Sequence, residues 1–355
     1  MARILLLLPG DGIGPEVMAE ARRVAEALGL ADLVIDEAPF GGAAIDRFGR
    51  PLAPEVKERA LAADAVLMGA VGGPQWTDQP FDRRPEAGLL ELRQAMGVFA
   101  NLRPARLLPA LIDRAPLKAE IVEGLDLLVV RELVGGIYFG EPRGIDRLPS
   151  GERVGLNTQR YSEGEIRRVA RVAFTLARCR RGRVTSVDKA NVMESGRLWR
   201  ETVDALGRTE FPDVALEHQL ADSCAMELVR RPTRFDVILT DNLFGDLLSD
   251  LAGQLTGSLG LLPSAALGEA GRPGLYEPIH GSAPDIAGRG IANPCAAVLS
   301  LALALRHSLD APAAADRVER AVERALEKGA RTPDLGGSLT TRAMGDAILE
   351  ELGRA

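Results

Sequence analysis

The sequence predicts an α/β protein built on a largely parallel sheet with helices on its faces. Short apolar runs that read as buried strands alternate with longer stretches whose apolar residues recur at helical spacing. One such strand leads straight into an acidic pair, Asp246 and Asp250, at the kind of strand end where open α/β sheets collect ligands. No low-complexity segment or internal repeat breaks the alternation.

Residues 4–8 form the first apolar strand, which stops at Pro9-Gly10 and is too short for a signal-peptide core. After Gly10-Asp-Gly-Ile-Gly-Pro15 a helix is expected, with Pro15 at its first position and Met18, Ala21, Ala25 and Leu28 on one face. Residues 65–68 and 125–130 are further candidate strands. The segment 140–155, rich in Gly, Pro, Arg and Asp, interrupts the rhythm and reads as a loop or a protruding arm. Ser162-Glu-Gly-Glu165 is a capping box, followed by Ile166, Val169, Ala170 and Ala173 at helical spacing. Gly182 is the expected stop of that helix. Residues 184–187 are the next strand, and Leu198, Trp199, Thr202, Val203 and Leu206 mark the next helix. Residues 235–240 read as the buried strand before the acidic pair. Residues 296–305 suit a buried helix better than a membrane span, and Val318, Ala321, Val322, Ala325 and Leu326 mark a late helix.

Composition narrows the function classes. With 355 residues, 46% hydrophobic and 26% charged, the chain is ordinary globular material for two domains or one large one. A net charge of −7 argues against a general nucleic-acid binder. Cys179, Cys224 and Cys295 show no metal or disulfide spacing and read as free thiols of a reducing compartment, so a soluble cytoplasmic protein is expected.

Asp246 and Asp250 lie four apart, so on a helix their carboxylates stack and repel unless a cation sits between them. A solvated acidic face is the commoner outcome for such a pair. Here Leu243, Phe244, Leu247, Leu248 and Leu251 surround it, which favours a Mg²⁺ or Mn²⁺ site. Arg131 follows a buried strand and could hold a carboxylate bidentately; Arg93 and Arg103 are weaker candidates of the same kind. Lys189 is one of only four lysines among 43 basic residues, at a strand end in Asp188-Lys-Ala-Asn191. An amine can lose its proton and serve as a base, although a salt bridge to Asp188 or a neighbouring acid is an equal alternative. Tyr138, flanked by glycines, could donate a proton or simply pack. His280 lies in a loop of small residues over which a ligand could bind. Cys224 has no base nearby. The Gly10–Gly14 turn is GxGxG rather than GxGxxG, and no acidic residue ends a convincing second strand. A tight turn lining a cleft is therefore expected in place of a dinucleotide cradle.

Five segments in order (Gly10-Asp-Gly-Ile-Gly-Pro-Glu16, Asn101-Leu-Arg-Pro104, Asp188-Lys-Ala-Asn191, Asn242-Leu-Phe-Gly-Asp246 and His280-Gly-Ser-Ala-Pro-Asp285) resemble the metal-dependent β-decarboxylating dehydrogenases of 2-hydroxy acids. The resemblance spans nearly the whole chain and is closest to members acting on 3-isopropylmalate in leucine biosynthesis. It implies the isopropylmalate/isocitrate dehydrogenase-like fold, two domains with parallel and mixed sheets flanked by helices, not a Rossmann fold. Residues 1–98 and 257–355 would form a cofactor-binding domain, and 99–256 a domain carrying the arm, the dimer contact and the metal site. The resemblance further implies NAD and Mg²⁺ or Mn²⁺ as cofactors and a homodimer with shared active sites.

By the same resemblance, Asp246 and Asp250 would hold the metal together with Asp222 of the partner subunit. Arg93, Arg103 and Arg131 would grip the substrate carboxylates, Lys189 would take the hydroxyl proton, and Tyr138 would act on the proton returning to C3. Leu89, Leu90 and Val192 offer apolar surface for an isopropyl group, whereas isocitrate would call for a polar or cationic residue there. Glu86 would disfavour a second anion and could lie near the nicotinamide. Asp285 would bind the adenosine ribose and repel a 2′-phosphate, favouring NAD over NADP. Gly73, Asn191, His280, Gly281, Ser282, Ala283, Pro284, Ile286 and Asn293 would complete the cofactor contacts. The rivals are a sister enzyme acting on isocitrate, homoisocitrate or tartrate, a non-catalytic regulatory subunit, and a plain anion-binding module.

Overall fold

A computed structural model describes residues 2–354. In chain order its elements open with β1 (Arg3–Gly10), α1 (Gly14–Ala27), β2 (Leu33–Glu37), α2 (Gly42–Phe48), α3 (Pro54–Ala62), β3 (Ala65–Ala70) and α4 (Pro85–Met96). There follow β4 (Ala100–Arg106), α5 (Ala119–Val122), β5 (Asp126–Glu132), β6 (Gly144–Arg147), β7 (Arg153–Leu156), α6 (Glu163–Arg178) and β8 (Arg183–Asp188). Next come α7 (Glu194–Glu210), β9 (Ala215–Leu220), α8 (Ala221–Arg230), β10 (Val237–Thr240) and α9 (Asn242–Gln254). The chain closes with β11 (Pro263–Leu267), β12 (Gly274–Pro278), α10 (Cys295–His307), α11 (Pro312–Glu327) and α12 (Thr341–Gly353).

These elements fall into two compact units: residues 1–98, 108–116 and 256–355, and residues 99–107 and 117–255. In the first, strands run in the order β2-β1-β3-β12-β11, the first four parallel and β11 antiparallel to β12. β1 and β3 are apolar and buried, as expected of parallel strands covered on both faces. α10 lies on β12 and β11 and contacts α1 and α11. Most of its residues, Cys295 to Leu305, are buried, which explains its near-continuous apolar sequence.

In the second unit the order is β4-β5-β10-β8-β9, with β4 antiparallel to β5 and the others parallel. α6 and α7 pack together, and α6 covers β5, β8 and β10. The capping box forms: Ser162 Oγ accepts the Glu165 N–H, and Glu165 accepts the Ser162 N–H at 2.8 Å. Ser162→Ala should cost about 1 kcal/mol of stability, read as a lower urea midpoint with an unchanged slope. A change in midpoint too small to measure would show that α6 is held by packing alone. Gly182, at φ +72°, ends the α6 turn by donating its N–H to the Ala177 carbonyl.

Several sequence expectations need correction. β2 does end in an acid, Glu37; it escaped notice because Val34 is exposed and the strand pairs only with β1, so it lacks an unbroken apolar run. The 140–155 segment is a two-stranded hairpin, β6–β7, with every strand residue exposed. β5 runs two residues further than read, placing Arg131 and Glu132 inside it, and β10 begins at Val237, after a short turn through Phe235. Among the described residues no helix is long and apolar enough to cross a membrane.

Candidate active site

In the second unit, β4, β5, α9 and the short turn Gly136–Tyr138 bring together five of the sequence-predicted side chains, Arg103, Arg131, Tyr138, Asp246 and Asp250. Asn101 and Arg103 are two apart on β4 and project to the same face. Arg103 Nε donates to Asn101 Oδ1 at 2.8 Å, and its Nη1 donates to Ser249 Oγ at 2.8 Å and Asp250 Oδ1 at 3.1 Å. The same nitrogen lies 3.4 Å from Asp246 Oδ1. Arg131, 4% exposed, donates from Nη1 to Asp246 and from Nε and Nη2 to Asn242 Oδ1, at 3.0 and 2.7 Å. Gly245 makes room for it, since a Cβ there would lie 2.6 Å from Arg131 Cγ.

Tyr138 donates its hydroxyl to Asp246 Oδ2 at 3.3 Å. Burial and the Asp246 charge raise its pKa, so the phenol remains a proton donor at neutral pH. Burial likewise raises the Asp250 carboxyl, with Arg103 opposing the shift. The two aspartates do stack on one face of α9, four residues apart. That face is more open within this chain than the surrounding leucines implied: the Asp250 side chain is 62% exposed and Leu247 63%.

A second cluster in the same unit surrounds Lys189. Asp188, at the end of β8, accepts two hydrogen bonds from Arg200 at 3.0 and 2.8 Å and one from the Ala190 N–H. Asp188 is thereby committed, and Lys189 Nζ instead meets Asp222 Oδ1 at 2.7 Å, in the first turn of α8. The expected salt bridge thus forms to a neighbouring acid, Asp222, and not to Asp188. The Lys189 hydrogen bond holds the Asp222 carboxyl below its usual range. Asn191 and Val192 follow in an exposed turn. Among the described residues no three His, Cys, Asp or Glu side chains are gathered to hold a metal.

In the first unit, Glu86, Leu89, Leu90 and Arg93 recur at i, i+3, i+4 and i+7 along α4 and so share one face. Arg93 hydrogen-bonds Glu277, and its Nε is buried without a partner. Glu86 lies against Gly72, just before Gly73, where a Cβ would lie 2.7 Å from the Glu86 carboxylate. The glycine turn after β1 is a clasp. Asp11 accepts the N–H groups of Gly42, Ala43 and Gly72 at 2.8, 2.9 and 2.8 Å. Ile13 N–H donates to the Ser282 carbonyl at 2.9 Å, and Glu16 accepts from Gly288 and from Gly290. Gly12, at φ +59°, admits that approach, because any Cβ would strike the Ser282 carbonyl. The space a pyrophosphate would take in a dinucleotide fingerprint is filled by the protein's own backbone.

The loop so held carries His280 to Ile286. His280 Nδ1 lies 3.0 Å from the Gly281 carbonyl, while Nε2 is buried without a partner. Ser282 is buried, Ala283 has a left-handed φ of +39°, and Pro284 and Asp285 are exposed. Asn293 spends both ends of its amide internally, on Asp334 at 3.0 Å and the Cys295 N–H at 3.0 Å, so a ligand there would meet its backbone. A separate cavity of about 480 Å³, bordered by Leu7, Met18, Glu37 and Arg47, contains none of the predicted site residues.

Two buried acids lie under the arginine cluster. Glu132 is fully buried and accepts from the Val134 and Gly135 N–H groups at 3.2 and 2.7 Å, yet burial pushes its pKa up to about 7. Asp241, the N-cap of α9, is pushed up to about 6 by burial. A carboxyl whose pKa is raised on folding holds its proton more tightly in the folded state. Stability therefore falls as pH rises from the ordinary 4.5 of Glu132 toward about 7. Glu132→Gln, which stays neutral, should gain on the unmodified protein by about 1 to 3 kcal/mol across that window. Urea unfolding at several pH values measures this, and parallel profiles would contradict it.

A family model described as isocitrate/isopropylmalate dehydrogenase matches residues 4–348. The chain belongs to this family. A 3-isopropylmalate dehydrogenase from Caulobacter vibrioides is 64% identical over 348 residues, covering 98% of this chain and 99% of its own. Another, from Paramagnetospirillum magneticum, is 55% identical over 362 residues, covering 99% and 98%. Among solved structures, an isocitrate dehydrogenase from Methylococcus capsulatus superposes with a TM-score of 0.88 at 35% identity, covering 99% of both chains. A β-decarboxylating dehydrogenase from Thermococcus kodakarensis gives 0.80 at 34%, covering 100% and 97%. Within this family frame, sequence reasoning passed over Asp11, Glu16, Glu132, Tyr161 and Asn242. Asp11, Glu16 and Asn242 stood inside quoted motifs, while Glu132 gave the one usable signal, an acid two residues past a strand read as buried.

Proposed function

We infer that this chain catalyses the oxidative decarboxylation of 3-isopropylmalate in leucine biosynthesis. The substrate and NAD⁺ give 4-methyl-2-oxopentanoate, CO₂ and NADH. The C2 hydrogen leaves as hydride, the hydroxyl proton is removed, and one proton returns to C3, so the reaction releases no net proton. The observation that carries this reading is 64% identity to a 3-isopropylmalate dehydrogenase over 98% of the chain. The apolar Leu89–Leu90 surface of α4 agrees with it, because it offers no partner for the extra carboxylate of isocitrate.

Asp246 and Asp250 present hard oxygen donors one helical turn apart, a set suited to Mg²⁺ or Mn²⁺, with Asp222 supplied by a second copy of the chain. Such an ion, when bound, stabilises negative charge developing on the substrate oxygens. Arg93, Arg103 and Arg131 bind the carboxylates. Lys189 accepts the C2 hydroxyl proton, and Tyr138, held protonated, supplies the proton to C3. The orphaned His280 Nε2 and the open space around Gly281 fit a bound dinucleotide, with Glu86, Gly73 and Asn191 toward the nicotinamide and 282–286 and Asn293 toward the adenosine. Asp285 at the ribose favours NAD over NADP. A homodimer is supported by exposed apolar residues on the hairpin, Ile145, Val154 and Leu156, and on α8 and α9, which pack against each other, Met226 and Leu247.

NADH absorbance with 3-isopropylmalate, NAD and Mg²⁺, with and without chelator, tests the reading. Activity that a chelator abolishes is expected. Faster turnover of isocitrate, homoisocitrate or tartrate would replace the substrate assignment, and inactivity unless a paralogous chain is added would favour a regulatory subunit.

A further inference from the structure

Arg131 lies at the centre of a hydrogen-bonded frame that the reaction itself does not call for. We propose that Asn242 is a positioning residue that fixes the plane of the Arg131 guanidinium, and that Tyr161 and Glu132 lock Asn242 from below. The proposal rests on reading Arg131 as a ligand of the substrate carboxylate.

One acceptor, Asn242 Oδ1, takes both Nε and Nη2 of Arg131, at 3.0 and 2.7 Å. Two N–H groups of a planar fork converging on one atom fix its direction, and with Nη1 held by Asp246 on another edge they fix its plane. The other end of the amide, Nδ2, donates to the Gly135 carbonyl at 3.0 Å. A flipped amide would set NH₂ against the guanidinium and oxygen against a carbonyl, so only one orientation is stable.

Asn242 is itself held. Its backbone N–H donates to Tyr161 Oη at 3.0 Å, and that hydroxyl spends its proton on Glu132. Glu132 in turn accepts the Gly135 N–H at 2.7 Å, so residue 135 is gripped through both its N–H and its C=O. Tyr161 packs edge-on against Trp199 with ring centroids 5.5 Å apart. Gly135 and Gly136 permit this arrangement, since a Cβ at either would lie 2.6 or 2.5 Å from Tyr161 ring or hydroxyl atoms. The same glycines open the short helical turn Gly136–Tyr138. The Asn242 amide, the Tyr161 hydroxyl and the Glu132 carboxylate all have partners within the frame. Such a network is rigid when complete and costly when broken.

Steady-state kinetics on Arg131→Ala, Asn242→Ala and the double variant test the proposal. Asn242→Ala is expected to raise KM for 3-isopropylmalate about 10-fold or more while leaving KM for NAD within about twofold. Arg131→Ala should do more, and adding Asn242→Ala to it should change kcat/KM by less than about twofold, because the second residue acts through the first. If Asn242→Ala does not fold, Asn242→Ser, too short to reach the guanidinium, takes its place in the cycle. Additive losses, or an unchanged substrate KM in the Asn242 variant, would overturn the proposal while leaving Arg131 as a ligand. An unchanged substrate KM in Arg131→Ala would remove the carboxylate reading and this proposal with it.

Discussion

Lys189→Met is expected to lower kcat by about 10²- to 10⁴-fold, the range for removal of a positioned general base, with substrate KM moving only a few-fold. Methionine keeps the length and the apolar stem of lysine, so packing around the 24%-exposed side chain changes little. What disappears is the amine proposed above to take up the hydroxyl proton. Its other neighbour in the motif, Asp188, is already committed to Arg200 and a backbone N–H, which leaves the amine free of that salt bridge. Lys189→Arg separates two roles. It keeps the charge opposite Asp222 but cannot deprotonate at working pH, and it should be nearly as inactive as the methionine variant. A kcat within about threefold of the unmodified protein in either variant would rule Lys189 out as the base.

Asp246→Asn is expected to cost about 10³-fold in kcat/KM, on the order of 4 kcal/mol, and to raise the Mg²⁺ concentration needed for half-maximal rate. Asp246 is the shared partner of Arg103, Arg131 and Tyr138, so its charge sets the electrostatics of the whole cluster. An asparagine preserves the shape and one acceptor, so the loss measures charge more than packing. Asp250→Asn, at the more exposed position, should shift the metal requirement in the same direction by less. Titration of activity with Mg²⁺ and with Mn²⁺ provides the readout. An Asp246 variant with an unaltered metal requirement would place the ion elsewhere.

The elements that the sequence announced are those whose local chemistry is sufficient by itself. The Ser162–Glu165 box, Pro15 at the start of α1 and Gly182 after α6 each satisfy or release backbone groups within a few residues, so their spacing speaks without tertiary context. β2 was missed because one of its sides is exposed and no apolar run marks it. The 140–155 hairpin was missed as a pair of strands because none of its strand residues is buried, which removes the alternation that would betray it. The aspartate pair and Arg131 could be found because each follows a strand. Their shared frame could not. Asn242, Tyr161 and Glu132 lie 29 to 110 residues apart, and nothing in their local spacing hints that one hydroxyl joins them. Lys189 carried two readings of equal merit, and which acid it meets could not be read from its motif: Arg200, eleven residues later in the chain, occupies Asp188 and leaves Asp222 as the partner of the amine.

The Gly12–Ser282 contact has a consequence for how the protein is made. The support for the 280–286 loop is laid down by the first sixteen residues, yet the loop itself leaves the ribosome some 270 residues later. The first unit also needs β12 to pair with β3, a union of segments some 210 residues apart. Assembly of that half therefore waits until synthesis is nearly complete, while residues 117–255 hold all their own strand partners but β4 and can begin to fold during translation.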